Sequence, residues 1–94
     1  MNQNFEDVKE IENTLTLLKT ELNKIISIIE ASNGKVNETY LNDLKRILNE
    51  AQNIYRQMGA TAYPYYNMVS QCLEIIYKAK FYIKTIEKND DLTF

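Results

Sequence analysis

The chain has 94 residues, 45% of them hydrophobic and 26% charged, with a formal net charge of -2. That size and balance describe one small folded domain with a limited core, not a disordered segment. The mildly acidic total gives no global attraction to nucleic acid or anionic lipid, and the lack of histidine removes the usual general base, the usual metal ligand and every Ser–His or Cys–His pair.

The first ten residues, "MNQNFEDVKE", are acidic and contain no apolar run, so no signal peptide is expected. Val8, Ile11, Leu15, Leu18, Leu22, Ile25 and Ile29 then recur at alternating steps of three and four. That spacing predicts a helix over about 5–31 with one apolar stripe. Leu17, Ile26 and Ile28 are expected to widen the stripe, and Glu10, Glu12, Lys19, Glu21 and Lys24 to form its solvated face. The carboxylates Glu6, Asp7, Glu10 and Glu12 lie where the helix macrodipole favours negative charge. They fit no Glu-x-x-His metal pattern, because the histidine is missing.

"ASNGKVN" ends this segment. Gly34, preceded by Asn33, suits a left-handed C-terminal cap. Asn37 suits the next N-cap, with Val36 and Leu41 at the spacing of a hydrophobic staple. The second helix is expected over about 38–58. Its main row is Leu41, Leu44, Leu48, Ala51, Tyr55 and Met58, with Tyr40, Ile47 and Ile54 as a second row beside it. A face that broad meets two neighbours at once.

"GATAYPYYN" follows, with Gly59 as a helix stop and Pro64 as a start. Proline is tolerated in a helix's first turn and not in its interior, so Thr61 or Tyr63 is the expected cap and the third helix is expected over about 62–88. Its main row is Tyr65, Met68, Cys72, Ile75, Ala79, Tyr82 and Ile86, and its second row Val69, Ile76 and Ile83. A third line, Leu73, Tyr77 and Phe81, stands at i, i+4 and i+8. This helix is therefore apolar round most of its circumference: either it is central, or one side meets a second chain. Cys72, the only cysteine, excludes an intramolecular disulfide and lies on the main seam as a buried core side chain. The tail 89–94 is expected to fray.

The expected fold is all-α: one antiparallel bundle of three long helices with short corners. A helix of ~25 residues is about 37 Å long, elongated for a bundle of this mass, which favours self-association or docking onto a partner. No apolar run nears the ~18 residues a membrane span needs. With one cysteine and no leader, the expected setting is the cytoplasm.

No catalytic residue, metal or cofactor is expected, so the chain is read as non-enzymatic. Three binding surfaces remain. The best is the line Leu73, Tyr77 and Phe81, extended by Tyr66 and flanked by Lys78 and Lys84. Aromatic side chains anchor protein interfaces, so the expected partner is a protein or a second copy of the chain, as for an inhibitor, an immunity protein or an adaptor. The alternative is the corner, where Arg56, Tyr63, Tyr65 and Tyr66 could stack a nucleotide-like ligand. Nucleic acid ranks last. "YKAKFYIKTIEK" interleaves lysines and aromatics, but it lacks an arginine for bidentate phosphate contacts, and lysines in the last turns also complement the helix dipole.

In size and helicity alone the chain is similar to bacteriocin immunity proteins of Gram-positive bacteria, helical secretion partners and phage-encoded inhibitors. The Trp-x-Gly turn of the helical-hairpin secretion family is missing, since the chain has no tryptophan. No residue role is carried over from any of these families.

Overall fold

The computed structural model contains helices α1 (Phe5–Ala31), α2 (Glu38–Met58) and α3 (Tyr66–Leu92). It describes residues 5–33, 35–58 and 66–92, and the backbone alone for 5–8, 66 and 89–92. The described part of α3 runs to Leu92, past the expected stop at 88. The corner residues Gly59, Thr61, Tyr63, Pro64 and Tyr65, and Gly34, lie outside the described residues.

All three helices pack against one another, α2 and α3 most extensively. Cross-links between the helices give the direction. Ala51 meets Cys72, and the earlier Lys45 meets the later Glu87, so α2 and α3 are antiparallel. Glu21 on α1 pairs with Arg46 on α2, and Glu30 with Tyr82 on α3. The bundle is long and thin, 55 × 21 × 17 Å, with a radius of gyration of 15.1 Å. A compact chain of this length would have about 12 Å.

Local chemistry sets the first corner. Ser32 donates its backbone N–H to the Ile28 carbonyl at 3.1 Å, and its hydroxyl to the same carbonyl at 2.7 Å. Asn33 is left-handed, with φ of 57°, a conformation asparagine reaches more readily than most residues. Gly34, expected as the left-handed cap, lies outside the described residues. Asn37 caps α2 as expected: its side-chain oxygen accepts from the Thr39 N–H at 2.8 Å. Val36 and Leu41 both pack partly buried against the core.

Of the predicted α1 stripe the core takes Leu15, Leu18, Leu22, Ile25 and Ile29; Ile11 is half-buried, and the Val8 side chain lies outside the described residues. From α3 the core takes Met68, Cys72, Ile75, Ile76, Ala79, Ile83 and Ile86. Three expectations fail. On α3, Tyr82 of the main row is half-buried, while Ile76 and Ile83 of the second row are in the core. On α2 the buried seam is Leu44, Ile47, Ala51, Ile54 and Met58, while Leu41 and Leu48 are half-buried and Tyr55 is exposed. The helix is rotated toward the row expected to be secondary. Ile54 is wholly apolar, whereas Tyr55 carries a hydroxyl that a dry seam would leave without a partner. On α1, Leu17 does not widen the stripe: it is 70% exposed. It stands about 100° round the helix from Leu18, beyond the arc that two neighbours cover.

Among the described residues no polar side chain is buried and no buried side-chain nitrogen or oxygen lacks a partner. No described helix is long and apolar enough to cross a membrane.

Candidate functional site

The third apolar line of α3 divides between core and solvent. Leu73 is partly buried against the core. One and two turns later, Tyr77 is 65% exposed and Phe81 63% exposed. The reason is angular: Cys72, Ile75, Ala79 and Ile83 already face the neighbours, and Phe81 projects nearly opposite Cys72 on a 3.6-residue helix.

Phe81 is nevertheless braced. Its ring stands edge-on to that of Tyr82, with centroids 5.0 Å apart and planes at 84°, a favoured aromatic geometry. The Tyr82 hydroxyl in turn donates to the Glu30 carboxylate of α1 at 2.7 Å. That hydrogen bond, then partial burial and the charge of Glu30, raise the Tyr82 pKa above its ordinary value.

Tyr77 and Phe81 line an open groove of about 550 Å³ with Leu48 of α2 and Lys80, Ile83, Lys84 and Glu87 of α3. A second hollow of about 480 Å³ shares Phe81, Lys84 and Glu87 and adds Thr85 and Lys88. Glu87 forms an ion pair with Lys45 of α2 at 3.5 Å. Lys80 and Lys84 are exposed, and neither forms an ion pair with a described carboxylate.

Of the residues expected at this face, Tyr77, Phe81 and Lys84 meet in one groove. Lys78 does not line it: it pairs with Glu74 one turn earlier at 3.1 Å. Tyr66 opens α3, and only its backbone is described. Leu48, Lys80, Ile83 and Glu87 were not among the expected residues. Lys80 had a visible signal, since it lies one turn before Lys84. Leu48 had none, because no local spacing tells which α2 residue stands across from Tyr77.

Of the alternative corner site, only Arg56 has its side chain among the described residues. Arg56 is exposed, and its guanidinium donates to Asn53 within α2. Tyr63 and Tyr65 lie outside the described residues.

Other polar features join helices or close on themselves. Arg46 meets Glu21 of α1, and Glu50 at 3.3 Å on its own helix; exposed pairs of this kind contribute little. Thr14, Thr16 and Thr20 return their hydroxyls to carbonyl oxygens four residues earlier. Cys72 is fully buried and donates to the Ala51 carbonyl at 2.9 Å. Burial pushes its thiol up to about 11, against a smaller lowering by the Tyr55 backbone, so the reactive thiolate is scarce at neutral pH.

Comparison with models of protein families, with curated proteins and with solved structures finds no match to this chain.

Proposed function

We propose that this chain is a small non-enzymatic interaction protein. It acts through the outer face of α3, by binding a partner protein in the manner of an inhibitor, immunity protein or adaptor, or by assembling with itself. The observation that carries this is the exposed ring pair, Tyr77 and Phe81, beside half-buried Leu73 and Leu48.

Single exposed apolar residues are ordinary on protein surfaces. Two large rings one helical turn apart, sharing a groove with half-buried Leu48, form a patch of the kind that marks interaction sites. Aromatic rings are also frequent interface anchors. Phe81 makes an edge-on contact with Tyr82 in its outward-facing position.

The test is native mass spectrometry of the untagged protein from its own host, repeated with Tyr77→Ser and Phe81→Ser combined. A heteromeric or homomeric mass that reverts to the bare 11.1 kDa chain in the double variant supports the reading. An association that survives both substitutions removes α3 as the contact.

A further inference from the structure

Resting on the reading of this α3 face as a binding surface, we infer that the groove along α3, edged by Leu48 of α2, takes an acidic amphipathic helix from a different protein. Shape, charge and symmetry converge on that occupant.

The groove lies along the outer side of α3, with Leu48 as its one lining residue from α2, and helix-in-groove docking uses anchors at i, i+3, i+4 and i+7. The groove runs from Tyr77 to Glu87, about 15 Å of α3, which matches roughly three turns of a partner. Leu48 and Ile83 line it with the two rings, so its occupant presents an apolar stripe.

Its charged residues are Lys80, Lys84 and Glu87, and Glu87 is already paired with Lys45. Two uncompensated lysines therefore edge the groove on a chain whose net charge is -2. An occupant with Asp or Glu beside its apolar stripe complements them and is steered toward them. A second copy docking the same face about a twofold axis would bring this basic edge against itself. A nucleic-acid strand would gain the lysines and could stack on the two rings, but the lining offers no arginine for bidentate phosphate contacts, and Leu48 and Ile83 offer it no polar partner.

The test is a displayed library of amphipathic helices with fixed apolar positions at i, i+3, i+4 and i+7 and Glu or Lys randomised beside them. It is selected on the full chain. The expected result is about tenfold enrichment of Glu over Lys, reversed by Lys80→Glu combined with Lys84→Glu, with retention lost in Phe81→Ser. Circular dichroism checks that each variant keeps its fold.

Flanking positions that stay random, a Glu preference that survives the charge reversal, or no retained helix overturns the inference. If any of these occurs while the Tyr77/Phe81 double variant still loses its native association, the α3 face stands and only its acidic partner falls. If the double variant associates as before, both fall. Two further outcomes overturn the acidic helix: salt-sensitive retention of a single-stranded DNA oligonucleotide that depends on Lys80 and Lys84, or a homo-oligomer dispersed by the charge reversal.

Discussion

The Tyr82 hydroxyl donates to the Glu30 carboxylate at 2.7 Å, joining α3 to α1 across 52 positions of the sequence. Its neighbour Phe81 turns to solvent and packs edge-on against the same ring. One residue of the pair thus anchors α3 within the bundle, and the next is presented outward on that anchor.

Tyr82→Phe keeps the ring and removes the hydrogen bond. The expected loss is about 1 kcal/mol or less, because the pair is partly hydrated. The pH dependence has a definite sign. The folded pKa of Tyr82 is raised, chiefly by the hydrogen bond to Glu30, above an unfolded value near ~10. The contribution is therefore complete below about pH 10 and is lost as pH rises through the folded pKa. Urea midpoints measured from mildly to strongly alkaline pH should fall more steeply for the parent chain than for Tyr82→Phe. Parallel curves would show that the hydrogen bond contributes nothing in solution.

The ring pair and the core should respond differently to truncation. Tyr77→Ser with Phe81→Ser removes exposed surface, so stability should change by no more than about 1 kcal/mol, with helical circular dichroism retained. Ile75→Ala opens a cavity at a residue only 1% exposed and should cost about 2–4 kcal/mol. Equal losses in denaturant titrations would make the rings part of the core.

Cys72 should behave as a reporter of unfolding. Its thiol is buried, bonded to the Ala51 carbonyl and pushed up to about 11, so a thiol reagent near neutral pH should modify it only as the bundle opens. Labelling should be slow in buffer and accelerate with denaturant in step with loss of helicity. A rate in buffer equal to that of a free cysteine peptide would contradict the packing of α2 on α3 at this point. A raised thiol pKa also means stability declines as pH climbs from about 8.5, the unfolded value, toward 11.

The first corner offers a local test. Asn37→Ala removes the acceptor for the Thr39 N–H and should cost about 1 kcal/mol, whereas Asn37→Asp should cost little. Asn33 is left-handed, so Asn33→Gly should be tolerated and Asn33→Val should cost about 1–2 kcal/mol. Thermal melts of the four variants decide both points.

Much of the bundle was legible residue by residue. The alternating three–four spacing of Leu15, Leu18, Leu22, Ile25 and Ile29 picked out the buried stripe of α1. Asn37 declared itself as a cap by its position before a periodic run. The line Leu73, Tyr77 and Phe81 was recognisable as apolar surplus because α3 already had two full rows. Less legible was α2, where two overlapping rows both had helical spacing. Leu17 misled because one apolar residue beside a stripe has the same local signature whether or not a neighbour covers it.

The sequence by itself determined that this chain makes three amphipathic helices, where the first two meet, and most of the seam that α1 and α3 bury. Those properties depend on a local period and on capping chemistry, which each segment carries within itself. Only the tertiary structure decided the rotation of α2 toward Ile47 and Ile54, the exposure of Tyr77 and Phe81, and the meeting of Leu48 with that face. The rotation of a helix about its own axis is set by the side chains of its neighbours. No spacing along one strand of sequence contains that information.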